Sequence, residues 1–426
     1  MPVNDLIHPK TPNTSNLLTR EDILASLPRI VTTLAEGAAE RDLAGRLPFE
    51  LVDYLRTTGV TWLRVPKNLG GPGGKISDQI EVTAALASGD SGLAHALRGH
   101  FGFVESIAID PEGESARQYA SEVLAGKLFG GAGMEIGTPR PNMIRTLLKK
   151  EGDHYRLNGH KYYSTGAIFS DFLSFSAIDE EGQPTGVMIK GRREGVSVND
   201  DWDGMGQRLS ASGSVDLDNV YIHASEVNPR GRYGMFGQQA PGTGAIPGAT
   251  RRPGAVRAQL HLYAVMAGIV RNVLRDAIEY VQNQARSAKH SASETARGDH
   301  FVQSVVGEIA AASHTIDVLV AETARHLDAS VEAILNNDPN ANDIVFQTQL
   351  ANSKGQIMIA KLALKAAEQL FDTGGGSAIS RKRNFDRHWR NIRTLANHNP
   401  GFLRARVLGD YYLNETRTDF DEGRVF

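Results

Sequence analysis

The 426 residues include no cysteine. That excludes disulfides, thiolate metal sites and a cysteine nucleophile, and it fits a cytoplasmic chain. An excess of one charge is also lacking. At a net charge of -3 there is no basic field to steer nucleic acid or an anionic membrane surface. No apolar stretch approaches the roughly 18 residues that span a bilayer. Residues 1–19 are polar and proline-containing, without the basic-then-apolar order of a secretory leader, and read as a flexible tail. Neither a G-x-G-x-x-G following a strand nor a Walker loop occurs, so the chain is not expected to bind NAD(P)H itself.

What is present describes a soluble protein of several packed parts. Apolar residues make up 41% and charged residues 22%, an ordinary globular balance, and the length exceeds what one core usually serves. From 20 to 127 apolar residues recur at three and four spacings (Ile23, Leu27, Ile30, Leu34), the mark of amphipathic helices, with Gly70 to Gly74 as punctuation. From 128 to 227 short β-rich runs alternate with E-G-D, L-N-G, D-E-E-G and S-A-S-G turns, which predicts a barrel or sandwich. Residues 228–254, rich in Gly, Pro, Gln and Arg, form a loop or lid. From 255 to 426 long helices return; residues 344–371 are apolar around most of the helix, as in a bundle or at a subunit interface.

This α–β–α order resembles the acyl-CoA dehydrogenase fold, an α+β architecture of N-terminal helical domain, central β-barrel domain and C-terminal helical bundle. L-P-F-E-L-V-D-Y-L-R-T-T-G-V (47–60), V-P-K-N-L-G-G (65–71) and L-N-G-H-K-Y-Y-S-T-G-A (157–167) carry the likeness. Two longer motifs narrow it: D-D-W-D-G-M-G-Q-R-L-S-A-S-G-S-V (200–215) and D-R-H-W-R-N-I-R-T (386–394) resemble the superfamily's flavin-dependent monooxygenases, the sulfur-acquisition and dibenzothiophene enzymes.

Chemistry separates the branches. A dehydrogenase needs a carboxylate aimed at the thioester α-carbon. Where the superfamily places that glutamate this chain has Asn399; the second family position, within 254–275, holds no Asp or Glu. Glu368 and Asp372 read as helix-surface charges. A monooxygenase instead needs hydroxyl and imidazole groups to steady a flavin C4a-hydroperoxide and move one proton. The resemblance implies His100, Ser164 and His398 for that role, each weighed against an ordinary core or surface residue; His388 reads as a hydrogen-bonded neighbour of the arginines. The implied cofactor set is Ala132, Gly133 and Glu135 through their backbone, Tyr163, Ser164 and Thr165 in the flavin strand, and Trp202, otherwise a core tryptophan. Arg286 would reach a neighbouring subunit's flavin. Gly374, Gly375 and Gly376 would meet a phosphate unless they only end a helix, and Arg393 completes the set. Two features depart from relatives: Leu395 to Asn397 lacks their extra histidine, and Gly130 to Glu135 lacks the Asn or Ser near the flavin.

The expectation is a homotetrameric two-component monooxygenase. It would take reduced FMN (FAD being possible) from a separate NAD(P)H:flavin reductase and oxygenate a small organosulfur, heteroatom or aromatic substrate. Its rivals are an acyl-CoA dehydrogenase or oxidase with a relocated base, and a non-catalytic scaffold.

Overall fold

The computed structural model describes residues 18–139, 143–228, 251–398 and 401–417. Asn399, most of the expected lid and most of the expected tail lie outside them. Helical periodicity in the first part yields α1 (Arg20–Ala25), α2 (Leu27–Ala35), α3 (Ala38–Ala44), α4 (Phe49–Leu55), α5 (Ile76–Gly89), α6 (Ser91–Ala96), α7 (Arg98–Ile109) and α8 (Glu114–Leu124). Helix α5 is buried along nearly its whole length, because Ala84, Ala85, Ala87, Ser88 and Gly89 leave room for neighbours on every side. Asp90 ends α5 and caps α6, its carboxylate accepting from the N–H groups of Gly92 and Leu93.

Eight strands follow: β1 (Phe129–Ala132), β2 (Leu147–Glu151), β3 (His154–Lys161), β4 (Phe172–Ile178), β5 (Pro184–Lys190), β6 (Val196–Val198), β7 (Val215–His223) and β8 (Val227–Asn228). They form one curled sheet in the order β6-β7-β3-β2-β4-β5-β8, with β1 pairing parallel to β4. Phe129 of β1 stacks on Phe103 of α7 at a ring-centroid distance of 4.0 Å and on Phe172, its partner in β4, at 4.5 Å. Tyr119 of α8 meets Phe129 edge-on at 5.5 Å. This aromatic stack joins the first helices to the sheet.

The third part is α9 (Arg251–Asn283), α10 (His300–Leu335), α11 (Ala341–Gln369), α12 (Asp386–Asn397) and α13 (Gly401–Asn414). Helix α9 lies directly on α5: a Cβ added at Gly268 would sit 2.3 Å from the Ala84 carbonyl oxygen. Only glycine allows that approach. Helix α10 corrects one expectation. By length and composition it could cross a membrane, and only 22% of its most apolar 18-residue window is buried within one chain. It also carries Asp317, paired with Arg271 at 3.0 Å, and Glu308, which accepts from Gln369. An α10 face in lipid would have to carry such groups, so the apolar surface suits contact with protein better.

Inside the sheet, Lys161 is fully buried and bonds Glu135 at 2.6 Å. The same carboxylate accepts from the N–H groups of Arg145 and Thr146 and from the Thr146 hydroxyl. Burial alone would raise its pKa, but these donors hold it below the ordinary carboxylate range. Removing one partner strands a buried charge at a cost of about 3–5 kcal/mol, whereas an apolar pair of similar volume is close to neutral. Urea unfolding should therefore show Glu135→Ala losing about that much, with Glu135→Met/Lys161→Met recovering most of it.

Candidate active site

The two longest motifs meet and clamp each other. A Cβ at Gly206 would lie 2.2 Å from the Arg390 carbonyl oxygen, so the 200–215 loop presses against α12 with no side chain between. Asn391 accepts from the Gln207 N–H at 2.5 Å and donates to the Ser91 hydroxyl at 3.2 Å. Arg390 donates to the Met205 carbonyl, to Asp42 of α3 and to its own Asp386. Arg387 and His388 both bond Asp276 of α9, at 2.7 and 2.8 Å. Burial would raise the Asp276 pKa, but these two neighbours hold it at about 2. Burial pushes His388 down to about 4, so it donates as a neutral imidazole. Arg387, Arg390 and His388 are thus joists, which leaves Arg393 and the end of α12 for chemistry.

The flavin-strand motif is braced in the same seam. The Ser164 N–H bonds the Gly213 carbonyl at 3.1 Å and the Gly166 N–H bonds the Ser210 carbonyl at 3.0 Å. Gly166, at φ 73°, has the Ala96 carbonyl oxygen 2.1 Å from where a Cβ would be. Tyr163 (φ 56°), Gln207 (φ 55°) and Ala211 (φ 48°) all take the left-handed conformation that ordinary residues avoid, and such strain collects at functional sites. Tyr163 stays 53% exposed and meets Trp202 edge-on at 5.9 Å. Trp202 is half-buried and its indole N–H bonds the Gly206 carbonyl. The Thr165 hydroxyl pairs with Ser212 at 2.8 Å. Ser164 Oγ is buried and has no partner, which suits an atom awaiting a ligand.

At the end of α12, His398 Nε2 lies 3.1 Å from an Arg98 guanidinium nitrogen. A guanidinium only donates, so Nε2 is the acceptor and the His398 proton sits on Nδ1. His95, three residues before Arg98, is buried with Nδ1 unpartnered. Burial, then the charges of Arg98 and His398, push it down to about 3. His261 of α9 bonds the Ala94 carbonyl at 3.0 Å, and burial drives it well below its ordinary value. His100 does not join this cluster as a free imidazole. Its Nε2 bonds the Thr61 carbonyl at 2.7 Å and its Nδ1 accepts from the Phe129 N–H at 3.2 Å, so both nitrogens are spent on backbone. His95, Arg98 and His261 were absent from the sequence reading. The spacing of His95 and Arg98, three apart on helical sequence, was the available signal.

The remaining candidates lie elsewhere. Gly374 packs on Tyr280, whose ring meets Phe385 at the start of α12, while Gly375 and Gly376 have open space around them. Arg286 is exposed in the segment after α9, and Arg393 is half-buried. Twelve residues of α12, about 18 Å of helix, separate the Gly374 and Tyr280 end from His398, whereas Arg393 lies within α12 itself. Ala132 and Gly133 lead from β1 to the Met134–Tyr162 bridge beside the flavin strand, with Glu135 next along.

Comparison with known proteins places the chain. The family models "Acyl-CoA dehydrogenase, N-terminal domain" and "Acyl-CoA dehydrogenase, C-terminal domain" match residues 21–127 and 260–400. This chain belongs to the acyl-CoA dehydrogenase family. It is 27% identical to the probable FMNH2-dependent monooxygenase SfnC of Pseudomonas putida over 92% of this chain and 95% of that one. The methanesulfinate monooxygenase MsuC from Pseudomonas fluorescens superposes with a TM-score of 0.80 at 26% identity, covering 92% of this chain and 97% of that one. FMN-bound TdsC, a dibenzothiophene monooxygenase from Paenibacillus sp. A11-2, gives 0.80 at 25%, covering 92% and 98%.

The two positions from which the sequence reading expected a dehydrogenase base carry no carboxylate: Asn399 stands at one, and 254–275 holds no Asp or Glu. Among the described residues the buried carboxylates Asp42, Asp78, Asp90 and Glu105 are paired with Arg390, Arg20, Arg41 and Arg64. Glu368 is a surface partner of Lys365, and Asp372 is exposed. None is offered to a substrate.

His95, His100, His261 and His388 are each neutral in the fold, so the unfolded chain takes up protons first as pH falls. Stability from these groups is full above pH 7 and declines as pH drops from about 6.5 toward 4, by about 1.4 kcal/mol per histidine per pH unit. Denaturant titrations across that range should show this decline, and His388→Asn should flatten the slope by about one proton.

Proposed function

We propose that this protein is a flavin-dependent monooxygenase that uses reduced FMN and O2 to oxygenate a small organosulfur or related heteroatom compound. The observation that carries the reading is the set of Ser164, His95, Arg98 and His398: hydroxyl, imidazole and guanidinium, with no carboxylate, in a family whose dehydrogenases need one. Relatives named for FMNH2-dependent and organosulfur oxygenation support it.

The residues suit FMN. A flat apolar ring system fits the exposed Tyr163 face beside Trp202, and the unpartnered Ser164 Oγ suits a polar ring atom. Thr165 and the backbone from Ala132 to Glu135 would complete the ring contacts. Arg286, Arg393 and Gly374 to Gly376 provide cationic forks and bare backbone for a phosphate. Bound and reduced, FMN supplies two electrons to O2, one oxygen atom passing to the substrate and the other leaving as water. This chain's residues hold that reaction in place. Arg98 orients the His398 ring and keeps its proton on Nδ1. The Ser164 hydroxyl both donates and accepts, and neutral His95 and His261 add no charge to the pocket.

Three further features belong to the proposal. A separate reductase would deliver reduced flavin, and the protein would work in the cytoplasm. Self-association as a homotetramer is supported by the apolar surface of α10 and by Gly374 to Gly376 and Arg286 standing a helix length from His398, which favours a second copy supplying them.

His398→Ala should lower substrate oxygenation by about 100-fold while FMN binding is kept and hydrogen peroxide release rises, as read by product assay beside peroxide detection. Unchanged coupling would remove His398 from the reaction. A protein that instead bleaches bound flavin on addition of an acyl-CoA, with no reductase present, would be a dehydrogenase.

A further inference from the structure

Buried arginines elsewhere in this chain obey a simple rule. Arg41 meets Asp90, Arg64 meets Glu105 and Arg387 meets Asp276, because a guanidinium stays protonated and is costly to bury without an anion. Three arginines around the start of α9 break the rule. Arg257 is 3% exposed, and its side chain makes no hydrogen bond or ion pair among the described residues. The carboxylate that acts on it, Glu105, is already held by Arg64 at 2.9 and 3.2 Å. Arg98 reaches only neutral acceptors, the Ala258 carbonyl at 3.0 Å and His398 at 3.1 Å. Arg404 bonds Gln259 at 2.7 Å and Ser353 at 3.4 Å, and its Nε is left unpartnered.

Tyr263 lies within electrostatic reach of Arg98 and Arg404, buried, with its hydroxyl unpartnered. Burial and the nearby charge of Arg257 weaken the proton affinity of Arg98 to about 10. The composition agrees: Val227 to Arg275 holds seven arginines and not one Asp or Glu. Farther along α9 Arg271 is ion-paired with Glu81 and Asp317, whereas Arg98, Arg257 and Arg404 have no carboxylate of their own among the described residues, Glu105 being shared with Arg64.

We propose that Arg98 and Arg257, with the Tyr263 hydroxyl, bind the anionic oxygens of the substrate, which is therefore a small organic oxoanion such as a sulfinate, not a neutral sulfide. This rests on the monooxygenase reading and sharpens it. A guanidinium fork matches two oxygens on one sulfur or carbon, and Arg98 already touches His398, so the bound anion lies beside the proposed reacting groups. The flavin phosphate is the competing occupant. It is separated from the ring by the ribityl chain, whereas these arginines stand at the His398 end.

The test is calorimetric titration of the FMN-loaded protein with methanesulfinate, methanesulfonate and neutral dimethyl sulfone, alongside FMN affinity from fluorescence quenching. The oxoanions should bind at least tenfold more tightly than the sulfone. Arg257→Met should erase that preference, leave FMN affinity unchanged, and keep or raise the melting temperature, since it removes an uncompensated buried charge. Arg257→Lys, which keeps the charge but not the fork, should retain a weakened preference and serves if the methionine variant misfolds. Sulfone binding as tight as the anions, or unaltered anion affinity in Arg257→Met, would overturn the proposal; so would a loss of FMN affinity in its place, which would assign the arginine to the phosphate. Failure of the wild-type protein to oxygenate any probe with reduced FMN would count against the monooxygenase reading alone, because the binding preference is read without turnover.

Discussion

The contact of the Gly206 loop with the backbone of α12 organises the rest of the molecule. Because no side chain separates Gly206 from the Arg390 carbonyl, the loop is close enough for Asn391 to take the Gln207 N–H and for Arg390 to reach the Met205 carbonyl. The same arginine extends to Asp42 in α3, and its neighbours Arg387 and His388 reach Asp276 in α9. One helix thereby ties the first helices, the sheet and the C-terminal bundle together. Its C-terminal end then delivers His398 to Arg98, at the corner between α6 and α7, without a loop of its own to hold it. Positions fixed by packed helices are more exact than positions on loops.

Electrostatics around this seam divides into two regimes. In one the charges are compensated: Asp276 with Arg387 and His388, Asp90 with Arg41, Lys161 with Glu135. In the other, polar groups are buried and left incomplete, among them Ser164 Oγ, His95 Nδ1 and Tyr263 OH, together with arginines that have no carboxylate of their own. Each such group costs stability in the isolated chain and recovers it when a ligand arrives. Left-handed backbone at Tyr163, Gln207 and Ala211 falls in the same zone. Rigid support and deliberate incompleteness are thus adjacent, as a site that binds a flavin and a substrate requires.

The histidines show where sequence reading runs out. His388 was legible as a neighbour of the arginines, since its motif is dense in charge, whereas its carboxylate partner, Asp276 of α9, was not. His100 and His95 look alike in the string A-H-A-L-R-G-H, yet one ring is satisfied by two backbone groups and the other is left with an open nitrogen. Residues five apart point to different sides of helical backbone, so the two rings meet different neighbours, which the string does not name. Glu135 likewise drew notice through its backbone, while its carboxylate turned out to anchor Lys161 and Thr146.

Local periodicity, turn chemistry and two long motifs were sufficient to determine the α–β–α order, the family and the lack of a dehydrogenase base within 254–275, because each is written in short-range spacing or residue type. Burial and partner geometry were decided only by the tertiary structure. Whether an arginine is paired, whether an imidazole nitrogen is taken, and whether α10 has an apolar face left uncovered all depend on residues far apart in the chain. Desolvation and hydrogen bonding act on the finished surface, and no spacing rule encodes them.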